Sequence, residues 1–449
     1  MNPSSNEQIA QLLLDGAKKR GIPDAKAQVS ESRSVSVLYR KGRPDRVEES
    51  SRRSVSISLY DNGRYSASSS NDFREDALRT FLDNAAAMTR AMEPDPFRCI
   101  TDPALYENRQ DLDLKLFDPA VDGFSDRQRH ELAARAEAAA IEAAGEAFIS
   151  AEAGVETSSS SAVQLHSNGF SGAVKGTDIW VYAEVSLKDD GDRRPSGYDL
   201  CGARFAADLG SPAAVGRGAA HRGMLKVGQS KVETRRCPMI VENRAAGRLL
   251  GGFLGAAYGR SLQQKRSFLE GMEGQKAGSP LFSLVDDPFI EKGFGSTLFD
   301  GEGISARRRD VVEEGVLRTF FIDTYYGKKL NRPPTTGDSS NLVFATGNRT
   351  PDELVASLAQ GILVRGFIGG NTNSTTGDFS LGVFGTLIEN GRLTRPVSEL
   401  NISGNHRDLW HRLSGAGNDP WIYSTTRCPS LLFDDIQFHA IRRDTIVDL

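Results

Sequence analysis

Cysteine and histidine are scarce in this chain, with four of the first and six of the second among 449 residues. Cys99, Cys201, Cys237 and Cys428 stand far apart, which excludes a CxxC metal or redox pair and the disulfide framework of a small secreted domain. Reduced thiols in the cytoplasm are the expectation. No two histidines stand at HExxH or HExxxH spacing, and His406 and His411 would point about 140° apart on a helix. Long apolar runs are missing too. The longest, 249–258, is broken by glycines and too short to span a bilayer. The first residues, MNPSSNEQIA, have neither the basic start nor the apolar core of a signal peptide. Positive charge is not in excess either. A net charge of −4 argues against nucleic acid as a partner, since such proteins carry a basic footprint. The basic runs 307–309 and 442–443 read as solvated or salt-bridged faces.

The length suggests about three domain-sized units, or two with insertions. Apolar residues at helical spacing (Ile9, Leu12, Leu13, Ala17) predict a helix over 7–20, stopped by Gly21-Ile22-Pro23. Alternation predicts strands over 27–40, 54–60 and 64–69. A helix follows from Phe73 to about Met92, capped by Asn71 or Asp72, with Ala77, Phe81, Ala85 and Met88 as its inner face. Prolines 94, 96 and 103 mark 93–119 as a linker. Ser125 caps an alanine-rich helix to Ala144, and 148–188 reads as long strands. Asp189-Asp190-Gly191-Asp192 lacks the closing Glu of a calcium loop and reads as a hairpin turn. A helix over about 212–229 holds His221, which has no ligand candidate one turn away.

After a strand in RCPMIVE comes RAAGRLLGGFLGAAYGR, residues 244–260. Gly247, Gly251, Gly255 and Gly259 recur every fourth residue and would stack on one helix face. Each costs about 1 kcal/mol relative to alanine inside a helix, so close approach of another backbone is the expected reason for them. Asp300-Gly301-Glu302-Gly303 reads as a turn, and Glu313-Glu314-Gly315 as the tip of a hairpin. Their neighbouring acids invite a metal or acid–base role that turn chemistry explains equally well. The densest stretch is GFIGGNTNSTTGDFSLGVFGTLIENGRLTRPVSELNISGN, residues 366–405. Gly366, Gly369 and Gly370 permit close backbone approach, Asn371, Asn373, Thr375 and Asp378 offer short polar arms, and 379–388 alternates as a strand. Glu389-Asn390-Gly391 makes a turn into a partner strand interrupted by Pro396. An extended peptide could lie on such a surface.

The string TTGDFSLGVFGTLIENGRLTRPVSELNISGN resembles the signature of the TldD/PmbA family, whose PmbA-type members are also called TldE. The likeness runs from about Glu7 to Ala440 and is strongest after Val241. The family's proteins are described as metallopeptidases or as modulators of DNA gyrase. In TldD-type members the helix matching 244–260 carries HExxxH, two metal-binding histidines and a general-base Glu. This chain has Gly251-Gly252-Phe253-Leu254-Gly255-Ala256 there, so Gly251, Gly252 and Ala256 stand at the degenerate motif positions. A C-terminal cysteine completes the TldD-type site, and Cys428 in STTRCPSLLF matches it, with Pro429 replacing the usual glycine.

The expected architecture is α+β: an N-terminal two-layer unit (1–92), the linker (93–119), a middle unit of helix and long strands (120–231), and a strand-rich C-terminal domain with the glycine-striped helix (232–449). The resemblance implies a metal-free subunit that pairs with a zinc-bearing TldD-type chain to enclose and cleave unfolded peptides, and that could form a homodimer when isolated. Asn371, Thr375, Asp378, Ser380, Glu389 and Asn405 are the residues expected to line the peptide or partner surface. Alternatives are a self-sufficient peptidase using Cys428, or a non-enzymatic modulator of the gyrase type.

Overall fold

The computed structural model describes residues 5–440, and the basic pair at 442–443 lies outside them. Helix α1 (Asn6–Lys19) opens with a reciprocal capping box between Ser5 and Gln8 and buries Ile9, Leu13, Leu14 and Ala17. Strands β1 (Asp24–Arg40), β2 (Arg43–Asp61) and β3 (Arg64–Ser70) form an antiparallel meander. Alternate side chains Ala25, Ala27 and Val29 are buried beneath α1 and α2 (Glu75–Ala91).

Two details of α2 differ from expectation. No side chain caps it; Asp72 accepts instead from the Arg74 backbone N–H at 3.1 Å and from its guanidinium. The buried face is Leu78, Leu82, Ala85 and Ala86, with Met88 41% exposed. Leu82 seats its Cδ1 on Gly16 of α1, in space that a Cβ would take. That close contact rotates α2 by one residue, about 100°, from the face read in the sequence.

Segment 93–118 is pinned at several points. Asp95 accepts from the Tyr325 hydroxyl at 2.7 Å, and the Tyr106 hydroxyl lies 2.8 Å from His166 Nδ1. Then come α3 (Pro119–Asp122), α4 (Asp126–Ala144), β4 (Phe148–His166), β5 (Ser171–Leu187), β6 (Ser196–Ala203) and α5 (Pro212–Met224). Strand β4 pairs with β1 from Lys26–His166 to Arg40–Glu152. Strands expected in two units thus join into one six-stranded sheet, in the order β3-β2-β1-β4-β5-β6. Two helix pairs, α1/α2 and α4/α5, cover one face of it, each over its own apolar cluster.

The C-terminal part runs through β7 (Arg235–Val241), α6 (Asn243–Leu254), β8 (Leu284–Asp286), β9 (Arg309–Glu313), β10 (Val316–Leu317), β11 (Leu342–Phe344), β12 (Gln360–Thr372), β13 (Asp378–Glu389), β14 (Arg392–Asn405), β15 (Leu413–Ala416), β16 (Thr426–Arg427) and β17 (Leu431–Ala440). A small sheet has the order β10-β9-β8-β11-β16, and a larger one β14-β13-β12-β7-β17-β15. Because β14 pairs again with β17, five strands of the larger sheet close into a ring. Phe253 of α6, Phe282, Phe344, Trp410 and Phe433 share one aromatic core beside it. The architecture is α+β.

Candidate functional site

The polar stretch folds as the hairpin tip between β12 and β13. Gly369 and Gly370, at φ of 64° and 85°, form a bulge where the register shifts between Ile368 and Asn371. Gly370 also abuts the Ser380 carbonyl, leaving no space for a Cβ. Beyond the bulge the loop closes on itself. Gly377 N–H donates to the Asn373 carbonyl at 2.8 Å, and Thr375 N–H to Asn373 Oδ1 at 2.9 Å.

Of the six residues expected to form a surface, the structure gathers five. Asn371 pairs across to Ser380, and Asp378 to Asn405. Asn405 donates through Nδ2 to Asp378 Oδ1 and to the Thr376 carbonyl, both at 2.9 Å. Hydrogen bonds from the Thr376 hydroxyl and Asn405 hold the Asp378 carboxyl below its ordinary pKa. Thr375 sits on the exposed loop. Glu389 lies apart, at the opposite end of the 12-residue β13 beside Arg392, because the strand rise carries it roughly 35 Å from Asp378.

Helix α6 flanks this tip, and here the glycine stripe needs correcting. Ala245, Ala246, Leu249, Leu250, Phe253 and Leu254 face the core, which turns the glycines outward. A Cβ at Gly251 would meet nothing within 4 Å, and one at Gly247 only Thr426 Cγ2 at 3.7 Å. The helix ends at Leu254, before Gly255 and Gly259. No other backbone approaches the stripe at Gly247, Gly251 or Gly255. A backbone does come close at Gly259, past the helix end, where a Cβ would stand 3.3 Å from Ile322 Cα; within α6 the crowded glycine is Gly252, whose Cβ would stand 2.5 Å from His406 Nε2 and 3.1 Å from Thr372 Oγ1.

His406 is fully buried, its ring stacked on Phe268 and packed against Phe379. Trp410 Nε1–H donates to its Nδ1 at 3.3 Å, which leaves the proton of the neutral ring on Nε2. That Nε2 has no hydrogen-bond partner among the described residues. Burial pushes the pKa of His406 down to about 4.

The positions Gly251, Gly252 and Ala256 thus supply an exposed glycine, a glycine filled against by an imidazole, and a fully buried alanine. Cys428 is also fully buried, and desolvation drives its thiol well above the ordinary range. His411 is exposed and does not join His406. A metal as held by three protein ligands does not fit this donor set, and among the described residues no three His, Cys, Asp or Glu converge to hold one. The acids of the 300–303 turn are taken up by backbone. Asp300 accepts from the N–H groups of Glu302, Ile304 and Gly337, and Glu302 from that of Thr324.

Sequence reasoning missed Arg248 and Ile368. Arg248 of α6 donates to the Gly369 carbonyl at 2.9 Å, and Ile368 is 60% exposed at the bulge. An apolar residue before a Gly-Gly pair was the available signal. Strand β12 pairs with β7 only through 362–364. Beyond that, no strand among the described residues pairs with 365–372 on the α6 side, leaving a short open edge beside the exposed glycines.

Comparison with known proteins bears on this arrangement. Residues 25–89 match the profile for PmbA/TldA metallopeptidase domain 1, and 234–440 match that for the PmbA/TldA metallopeptidase C-terminal domain. The chain is 30% identical over 420 residues to a protein named metalloprotease PmbA from Escherichia coli O157:H7, covering 92% of this chain and 91% of that one. A Haemophilus influenzae protein named metalloprotease TldD homolog is 30% identical over 186 residues, 36% of this chain and 38% of its own. A crystal structure from Bacteroides thetaiotaomicron, described as a putative modulator of DNA gyrase, superposes with a TM-score of 0.94 at 39% identity, covering 98% of this chain and all of that one. The fold of TldE from Thermococcus kodakarensis superposes at 0.84 with 18% identity, over 96% of this chain and 100% of its own.

Proposed function

The chain belongs to the PmbA/TldD family, and from that premise we propose that it is the metal-free, PmbA (TldE)-type subunit of a TldD/TldE-like protease. One observation supports this reading: α6 and the turn that follows it offer glycine, glycine and alanine at 251, 252 and 256, with His406 packed where a side chain at 252 would go. Zinc and the general base then belong to a TldD-type partner. The buried Cys428 thiol, its pKa raised by burial and further by the Asp419 carboxylate, gives no support to a self-sufficient cysteine peptidase.

In this reading the chain contributes binding surface. An unfolded peptide adds as a strand along the open edge of 365–372, its backbone read by β12 and its side chains passing the flat glycine side of α6, with Ile368 and Arg248 bordering the groove. Backbone pairing suits a substrate class defined by being extended rather than by sequence. Asn371, Thr375, Asp378, Ser380 and Asn405 shape the tip that presents this edge. The test replaces Asn371, Ser380 and Ile368 with bulky or charged residues and measures both association with the TldD-type chain and cleavage of an unfolded peptide by the mixture. Loss of cleavage, of association or of both is expected. Retention of both would remove these residues from the function.

A further inference from the structure

The open edge of β12 and helix α6 run side by side in the same direction. Glu242, just before the helix, donates its N–H to the Val364 carbonyl, Arg248 reaches the Gly369 carbonyl, and Gly252 lies against Thr372. One end of the groove is thus fixed at Arg365 and the start of α6, and positive charge gathers there. Arg222 of α5 makes two hydrogen bonds to the Glu242 carboxylate, at 2.9 and 3.1 Å, and Arg365 stands 3.6 Å from the same carboxylate. Arg244, in the first turn of α6, pairs with Asp199 of β6 and lies over the Trp421 ring. Lys226 donates to the Ser196 carbonyl and faces the Phe384 ring, which in turn fills the space beside Gly366.

Charge does not balance at this end. With Arg248, one turn beyond Arg244 on the same helix face, it holds five cations against two carboxylates, Glu242 and Asp199, both already engaged. Glu184 of β5 attracts Lys226 more weakly than Arg222 repels it. Burial lowers the pKa of Lys226, Arg244 and Arg365, and the Arg222 charge acts in the same direction on each. Arg248 is the exposed member of the group. Only its Nη2 is engaged, by the Gly369 and Gly370 carbonyls, and among the described residues no acid pairs with it. A guanidinium with most of its fork free, beside a strand edge and in a positive field, suits a carboxylate, which it can take with two charge-assisted hydrogen bonds.

We propose that this end of the groove is a carboxylate subsite, where Arg248 receives the carboxylate of an extended peptide lying on the open edge and Arg244 and Arg365 supply the surrounding positive field. A peptide added antiparallel to β12 brings its C-terminal end to Arg365, and in either direction an Asp or Glu side chain passing Arg248 meets the same donors. The substrate class then narrows from extended peptides in general to those with an acidic side chain or a free C-terminus at that position. The subsite rests on the reading of 365–372 as a peptide-binding edge, and the test separates the two.

Three labelled unfolded peptides of one length are compared by fluorescence anisotropy with the purified full chain. The first has an internal Glu and an amidated C-terminus, the second Gln in its place and a free C-terminus, and the third Gln and the amide, so that it carries no carboxylate. At least one carboxylate peptide is expected to bind about tenfold more tightly than the neutral one, the size of one charge-assisted hydrogen bond, with the advantage shrinking as salt is added. Which of the two gains assigns the source of the carboxylate. Arg248→Gln keeps an N–H for the Gly369 carbonyl and should bring the carboxylate peptides down to the affinity of the neutral one. Arg248→Glu should invert the order and favour a peptide with Lys in place of Glu. The side chain is exposed, and circular dichroism checks that both variants are folded. Equal binding of all three peptides would overturn the subsite and leave the peptide-binding edge standing, the cations then serving only to tie α5 and β6 to α6. A carboxylate advantage that survives both Arg248 changes would also overturn the subsite. Binding of none of the peptides would overturn the edge and the subsite together.

Discussion

Two adjacent glycines of α6 carry opposite expectations. At Gly251 a methyl group meets open space and a helix gains from alanine, so Gly251→Ala should stabilise the protein by about 0.5–1 kcal/mol in urea unfolding. At Gly252 the same methyl would strike His406, and Gly252→Ala should destabilise by about 1–3 kcal/mol. Equal effects at the two sites would contradict the packing described for His406. That histidine also sets a pH dependence. Its folded pKa of about 4 lies below the ordinary 6.5, so the native state holds it neutral while the unfolded chain takes up a proton. The stability it leaves intact above pH 6.5 is lost as pH falls towards 4. Comparing wild type with His406→Gln in urea at pH 7 and pH 4.5 should show the wild type losing about 2 kcal/mol more. Cys428 should resist iodoacetamide in the native protein and react only on unfolding, with half-buried Cys99 labelled first.

At the scale of elements, the hairpin tip depends on the bulge at Gly369-Gly370. Gly370→Ala forces a Cβ against the Ser380 carbonyl at a φ of 85° and should cost about 1–3 kcal/mol, read as a lower unfolding midpoint. Much at this scale was legible in the sequence. The Ser125 cap of α4, the alternation of β1 and β13 and the Asn-Gly turn at 390–391 are local features, each set by neighbours a few residues away. What was not legible is set by distant contacts. Nothing local in α2 announces that Gly16 receives Leu82. Nothing in the glycine spacing of α6 shows that its apolar side would take the core and leave the stripe outside, or that His406 would press on Gly252. The pairing of β1 with β4 joins segments that composition separates at a proline-rich stretch. Glu389 shared a strand with Asp378 and so looked close in sequence, while strand geometry puts it at the far end.

For the whole molecule, the family pattern in 366–405 led to the fold because it spans the hairpin on which the closed five-strand ring is built. Function is harder to read, since a fold does not by itself fix the chemistry carried on it. What this chain offers at the site is a helix with a buried apolar side and glycines at 251 and 252. The most direct test is metal content and peptidase activity of the purified chain on an unfolded peptide, measured alone and mixed with its TldD-type partner. The subunit account predicts no stoichiometric zinc and no cleavage by the chain alone, with cleavage appearing or changing in the mixture. Stoichiometric zinc together with proteolysis by the isolated chain would contradict it.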